Sequence, residues 1–400
     1  MSTAIASDRA LTIMLVCGEP SGDQLGAELM AGLKTLGGET VNIVGVGGSA
    51  MAAHGLKSLF PVDATAVMGL REVVPRIPEI LRRVRIASDF ALKTRPDAVV
   101  CIDSPDFTHR IAQRLHRLKA GIPAINYVAP QVWASRQYRA RKMARYFDLV
   151  LTLLPFEAQF FKAHGLRAEF VGHPVVERAA RIHGGAALRR RFNVEPDRPL
   201  LAVLPGSRMN EVRQLLPIFR DAVARVRRHI VDLACVLPVA PHVAAFVRQE
   251  TKHWPGTLHI VEIEADKFAA FDAADAALAA SGTVTTELAL AGTPMAVAYR
   301  IGWLTYALLR PLVRVPYITL VNLLLNRAAV PEFIQGRCRA DLLAACLTRL
   351  LQDAALREAQ KRDLRESVHL LGKDAEEPSL RAARVLLEFA RERQAARAAA

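Results

Sequence analysis

Hydrophobic positions in the first half of the chain come as short unbroken runs. LTIMLVC (11–17), VNIVGV (41–46), AVVCID (98–103), PAINYVA (123–129) and DLVLTLL (148–154) are too short for buried helices and rich in β-branched residues. Such runs are strands covered on both faces, as in parallel sheets. Between them, 24–35 and 107–118 carry helical spacing. Strand–helix alternation predicts a doubly wound α/β domain.

The pattern weakens over 175–197 and then resumes. LLAVLPGS (200–207), DLACVLPVA (232–240), LHIVE (258–262), AALAAS (276–281) and PMAVAYR (294–300) read as further strands, with a helix over 211–228. The stretch 339–396 is helical and charged, without a strand signal. Two similar α/β halves follow, divided as 1–185 and 186–340, with C-terminal helices over 341–400. In open α/β sheets ligands bind at the carboxyl ends of the strands. Two such halves facing each other make a cleft, so the loops after strands are where chemistry belongs.

Composition agrees with this division. A chain of 400 residues, 52% hydrophobic and 23% charged, is globular and long enough for two cores. The net charge of +14 favours anionic partners: nucleic acid, lipid head groups or phosphorylated substrates. Basic residues such as Arg82, Arg83, Arg85, Arg139 and Arg141 are interleaved with others along helical stretches, which equally describes solvated helix faces. Aromatic residues are 6%, and no nucleic-acid motif is present, so nucleic acid is set aside. The five cysteines are an odd set without metal-ligand spacing. Cys17, Cys101 and Cys235 lie in strand-like runs and read as small core residues in a reducing compartment. No histidine array suggests a metal. No secretory pattern precedes Leu11, and no apolar run approaches the ~18 residues of a membrane helix. A cytoplasmic protein, soluble or peripheral, is expected.

Five strand-end loops carry candidate chemistry: GEPSGD (18–23), GVGGSAM (45–51), IDSPDF (102–107), LPGSR (204–208) and ASGTVTTE (280–287). A dinucleotide fold needs G-x-G-x-x-G after its first strand. GEPSGD lacks it, so no nicotinamide or flavin cofactor is expected. GVGGSAM is either a turn needing positive φ or a ligand contact. LPGSR and ASGTVTTE each offer glycine and a hydroxyl before a helix. Free N–H groups and the dipole at a helix N-terminus hold phosphate, and Arg208 adds a guanidinium fork. Ser281 or Thr283 can equally be a plain N-cap. Two such loops in one half favour a diphosphate site built from Gly206, Ser207, Arg208, Ser281, Gly282 and Thr283.

The first half supplies carboxylates. Asp106 is the better cap for the helix at 107–118, which leaves Asp103 free to take a proton from an attacking hydroxyl. Glu19 and Asp23 occupy the matching lip of the first strand. Asp23 can cap the helix beginning near Gln24, whereas Glu19 precedes Pro20 and has no such role.

These loops, together with AVMGLREVVPRIPEIL, YVAPQVWASR, LLPFE, VGHPVVE and YITLVNLLLNRAAVPEFIQ, occur in the order seen in lipid-A-disaccharide synthases. The resemblance runs from about residue 12 to 340. It implies a GT-B glycosyltransferase with two Rossmann-like halves facing across a cleft. The implied reaction moves 2,3-diacylglucosamine from UDP-2,3-diacylglucosamine to 2,3-diacylglucosamine 1-phosphate, giving UDP and the β(1→6) disaccharide 1-phosphate of lipid A. Family positions match at Glu19, Asp103, Arg208 and Asn322. Departures are Ser135 where a second tryptophan is common, Val321 where proline is common, and Asn326 where glycine is frequent. The resemblance implies an enzyme peripheral on the inner face of the inner membrane, without metal or cofactor, and a homodimer is compatible with it.

In this reading Asp103 is the base of an inverting displacement, Glu19 supports it, and Ser21 and Asp23 flank the acceptor. Arg208 and the amides at 281–283 hold the leaving diphosphate, Asn322 contacts the donor, and Glu287 accepts from the ribose, although Glu287 can also be an ordinary exposed helix residue. Over 68–85, Ile77, Ile80, Leu81 and Val84 form one stripe beside Arg82, Arg83 and Arg85, which suits an anionic inner-leaflet surface or an inward-packing helix. The rival readings are another UDP-sugar enzyme of this fold, an epimerase or an N-acetylglucosaminyltransferase, and a non-catalytic basic lipid-binding protein.

Overall fold

A computed structural model of the chain describes residues 10–62, 77–135, 137–302, 306 and 315–398. The chain forms two compact units, Met1–Pro174 with Asp374–Ala400, and Val175–Lys373.

The first unit is built on a six-stranded sheet of β1 (Leu11–Cys17), β2 (Val41–Val46), β3 (Ala98–Ile102), β4 (Ala124–Tyr127), β5 (Leu149–Thr152) and β6 (Ala168–Phe170), in the order 2-1-3-4-5-6. All its pairs are parallel. β1 and β3 are almost wholly sealed, as their continuous apolar runs require. Gly45 lies in β2 opposite Leu15 with φ 138°, and a Cβ there would sit 1.9 Å from the Leu15 carbonyl oxygen. Only glycine fits that approach.

The second unit repeats the plan with β7 (Leu200–Leu204), β8 (Ala234–Pro238), β9 (Thr257–Val261), β10 (Ala276–Ala280), β11 (Met295–Tyr299) and β12 (Glu332–Ile334). Their order is 12-11-10-7-8-9, again all parallel. The three-residue edge strands β6 and β12 carry no readable period and were not expected. Each sheet grows first to one side of its opening strand and then to the other. The loops therefore part between β1 and β3 in one unit and between β7 and β10 in the other. Those are the switch points where open α/β sheets bind ligands.

The C-terminal helices are not a segment of their own. Helices Ala340–Gln352 and Ala354–Leu370 belong to the second unit, and Leu343, Leu347 and Leu350 enter its core. Helix Pro378–Ala398 returns to the first unit, where Leu386, Leu387 and Phe389 are buried. Burying each side chain contributes about 1.5–3 kcal/mol. The cysteines are free, and burial pushes the Cys17, Cys101 and Cys235 thiols up to about 12. Among the described residues no helix is long and apolar enough to cross a membrane.

Helix Ile77–Thr94 divides the stripe expected over 68–85, whose residues 68–76 lie outside the described ones. Val84 is buried and Ile80 packs on the core, while Ile77 and Leu81 remain exposed. Arg83 is also buried. Its Nε donates to Glu79 Oε1 at 2.7 Å and its Nη1 to Pro61 O at 2.8 Å. Arg82 and Arg85 stay on the surface, with side chains 71% and 77% exposed. The helix thus packs inward on one face and offers Leu81, Arg82 and Arg85 on the other.

Candidate active site

The turn after β3 is strained. Asp103 has φ 51° and Ser104 φ 44°, two consecutive non-glycine residues in the left-handed region, costing on the order of 1–3 kcal/mol each. The surroundings hold them there: Asp103 N–H donates to Tyr127 O at 3.0 Å, and Thr108 Oγ1 donates to Asp103 O at 2.7 Å. The helix begins at Pro105 with Ser104 in the N-cap position, so Asp106 is an exposed first-turn residue and not the cap. The Asp103 carboxylate is half-buried and accepts from Ser21 Oγ at 3.1 Å.

Glu19 occupies the N-cap position of helix Pro20–Gly37 without a side-chain cap bond. Burial raises its carboxyl above the ordinary range, and the Asp103 charge raises it further. Two acids within electrostatic reach of each other at a sheet's switch point suit proton handling.

Asp23 departs from expectation. The helix starts at Pro20, not near Gln24, so Asp23 lies a turn inside it and is only 5% exposed. Its Oδ1 accepts from Gly48 N at 2.7 Å and Met51 N at 3.1 Å, and its Oδ2 from Ala50 N at 2.8 Å. Asp23 thus caps the neighbouring helix Ser49–Ala53 and pins the GVGGSAM loop. It is not a cap of its own helix, and both its oxygens are taken up by amides of the 45–51 loop.

In the second unit the carboxyl ends of β7, β8, β9 and β10 enclose a cavity of ≈ 690 Å³. Gly206, Ser207, Arg208, Ser281, Gly282, Thr283 and Glu287, far apart in sequence, all line it. Gly206 has φ 109°, and a Cβ there would meet Glu211 Oε2 at 2.8 Å. Arg208 and Gly282 are the N-cap residues of helices Met209–Val226 and Thr283–Ala291, and neither helix has a side-chain cap bond. The plain N-cap reading of Ser281 and Thr283 therefore fails: Thr283 is the first helical residue, and Ser281 Oγ faces Ile318 O at 3.5 Å. Two helix N-termini without side-chain caps on one cavity offer it free backbone amides, groups that suit anions. The Arg208 side chain is 64% exposed, with Nη1 3.1 Å from Glu211 Oε1.

Glu287 is not an exposed helix residue. Its side chain is 5% exposed and accepts from Arg178 Nη1 at 2.6 Å and Lys267 Nζ at 3.0 Å. Both cations line the cavity and neither was anticipated. A lone arginine and a lone lysine, 109 and 20 residues from their partner, leave no local signal.

Asn322, expected to contact the donor, has 0% exposure. Its Nδ2 donates to Val330 O and Glu332 Oε1, both at 2.8 Å, and its Oδ1 accepts from Val330 N at 2.8 Å. Glu332, also unanticipated, accepts from Thr319 N at 2.9 Å as well. The Asn322 side chain is thus consumed in holding helix Leu320–Leu325 to β12 and does not line the cavity. Asn326, found where glycine is frequent, ends that helix with φ 50° and ψ 35°, a conformation that asparagine tolerates best after glycine.

Residues 13–384 match the family model described as lipid-A-disaccharide synthetase. The lipid-A-disaccharide synthase of Rhodospirillum centenum is 46% identical over 379 residues, 95% of this chain and 94% of that one. That of Paramagnetospirillum magneticum is 46% identical over 385 residues, 96% and 98% of the two chains. Among solved structures, UDP-GlcNAc 2-epimerase from Neisseria meningitidis bound to UDP-GlcNAc aligns with TM-score 0.60 and 11% identity, over 95% of this chain and 98% of that one. Acinetobacter baumannii MurG aligns with TM-score 0.57 and 14% identity, over 94% and 99%. At such identities these two show the fold alone, which is GT-B with two Rossmann-like domains. Sequence identity of that depth over nearly the full length is what decides among enzymes sharing the fold: the chain belongs to the lipid-A-disaccharide synthetase family.

Proposed function

We propose that the chain transfers 2,3-diacylglucosamine from UDP-2,3-diacylglucosamine to 2,3-diacylglucosamine 1-phosphate with inversion, releasing UDP and the β(1→6) disaccharide 1-phosphate. The observation that carries this reading is the cavity with two uncapped helix N-termini beside Arg208. A nucleoside diphosphate leaving group needs such a site. Charge that builds on the β-phosphate as the glycosidic bond breaks is met by preorganised amides and by the guanidinium. Glu287, held by Arg178 and Lys267, is the acceptor for ribose hydroxyls.

In this reading the first unit serves the acceptor. Asp103 takes the proton of the attacking 6-hydroxyl, with Ser21 steadying its Oδ2. Glu19, its carboxyl raised by burial and by Asp103, hydrogen-bonds sugar hydroxyls or supports the base. The exposed Leu81, Arg82 and Arg85 dock on the anionic inner-leaflet surface that holds the acylated substrates. The enzyme works at the cytoplasmic face and needs no metal.

Incubating the chain with both lipid sugars in detergent, with and without a chelator, tests this by mass spectrometry. A disaccharide 1-phosphate and stoichiometric UDP are expected in both samples. A new UDP-sugar without disaccharide would instead identify an epimerase.

A further inference from the structure

We propose that Glu157 is a positioning residue of the acceptor side, holding Trp133 and through it the loop 128–135. The proposal rests on the reading above that the first unit serves the acceptor. Three neighbouring strands end side by side, in the order β3, β4, β5. β3 runs into Asp103, whose N–H is bonded to Tyr127 O at the end of β4. The chain leaving β4 then passes through Val128 at φ 72°. That is a strained conformation for a β-branched residue and persists only where surrounding contacts enforce it. Val128 N–H donates to Leu151 O at 3.2 Å, and the chain enters the short helix Val132–Ser135.

Glu157, after β5, ties that segment down. Its Oε1 accepts from Trp133 Nε1 at 2.9 Å, and its Oε2 accepts from Leu154 N at 3.1 Å, reaching back from the third position of helix Pro155–Ala163 to its N-cap amide. Trp133 also stands edge-on to Phe156, with ring centroids 4.9 Å apart. Glu157 is only 2% exposed, yet among the described residues it has no ion pair. Helix Val132–Ser135 and β5 contain no titratable residue, and Lys162 on its own helix is paired with Glu169 of β6 at 3.5 Å. A buried carboxylate met only by neutral donors costs more than an amide or an apolar side chain at the same place. What it alone supplies is two acceptor oxygens, one for each N–H.

Burial pushes the Glu157 carboxyl up to about 7. Protonation turns one acceptor oxygen into a hydroxyl, a poorer acceptor, so one of the two N–H bonds weakens. The Trp133 hold is therefore complete above neutrality and slackens below it.

The chain has three tryptophans. With 5-fluorotryptophan incorporated, the ¹⁹F resonance that disappears in Trp133→Phe belongs to Trp133. That resonance should move between pH 5.5 and 8.5 with a midpoint near 7, and stay still in Glu157→Gln. In parallel, Trp133→Phe and Glu157→Gln should raise KM for the acceptor sugar about tenfold while leaving KM for the UDP-sugar unchanged. A Trp133 resonance that ignores pH, or a donor KM that rises together with the acceptor KM, overturns the proposal. Failure of the wild-type chain to make any disaccharide removes the functional reading instead, and the ¹⁹F titration still decides whether Glu157 holds Trp133.

Discussion

Ser21 Oγ donates to Asp103 Oδ2 at 3.1 Å and so joins the two loops that part at the switch point of the first sheet. Asp103→Asn keeps the shape but removes the base. It should lower turnover by about 10² to 10⁴ with UDP affinity intact, because the cavity proposed to hold the diphosphate lies in the other unit. Ser21→Ala removes one bond to the carboxylate and should cost about three- to tenfold. Initial rates of UDP release and calorimetric UDP titration check both; loss of UDP binding in Asp103→Asn would reverse the assignment of the two units.

Arg208 and Glu287 line the same cavity but carry different loads. Arg208 is mostly exposed, so Arg208→Ala should leave thermal stability unchanged and weaken UDP binding by about 1.5–3 kcal/mol. Glu287 is buried between two cations. Glu287→Gln leaves Arg178 and Lys267 uncompensated and should lower unfolding free energy by about 1–3 kcal/mol, discounted because both cations are partly solvated. Thermal melts beside UDP titrations separate the two patterns, and identical behaviour of the variants would remove the distinction.

Asn322 and Glu332 form one hydrogen-bonded unit, with Nδ2 to Oε1 at 2.8 Å. Asn322→Ala and Glu332→Gln should each destabilise the chain by about 1–3 kcal/mol, and the double variant by less than their sum. Denaturant titrations measure this. An Asn322→Ala chain of normal stability with lost UDP affinity would restore Asn322 as a direct donor contact.

Glu157 makes stability depend on pH. Its folded-state value of about 7 lies above the ordinary glutamate range, so folding favours the protonated form. That contribution is complete below the unfolded value, near 4.3, and is lost as pH rises to 7; it amounts to roughly 3–4 kcal/mol. Glu157→Gln should remove this part of the slope between pH 4.5 and 7. Parallel stability–pH curves for the variant and wild type would show that Glu157 does not titrate there.

Arg82→Glu with Arg85→Glu should weaken binding to anionic vesicles, and binding by the unaltered chain should fall with added salt. Arg83 is left alone because its guanidinium is bonded to Glu79 and Pro61 inside the fold. Vesicle sedimentation at two ionic strengths reads the effect. Unchanged sedimentation would place the membrane contact elsewhere.

The amino-acid sequence by itself determined the strands that matter. β1 matches the apolar run 11–17 residue for residue, because a strand covered on both faces is apolar almost throughout, and the edge strand β2 matches 41–46 although its Asn42 is exposed. It also located the loops 204–208 and 280–287, where a glycine beside a hydroxyl ends a strand and a helix starts, and both line one cavity. Tertiary structure alone decided the rest. Helix Pro378–Ala398 reads like its two predecessors, and only packing shows that it returns to the first core. Asp23, Glu287 and Asn322 were each expected to face a substrate. Their partners separate them: amides 25 to 28 residues away for Asp23, cations 20 and 109 residues away for Glu287, and β12 for Asn322. A buried polar group goes to whichever donor or acceptor the fold brings within 3 Å or so, and for these three the chain order does not say which one that is.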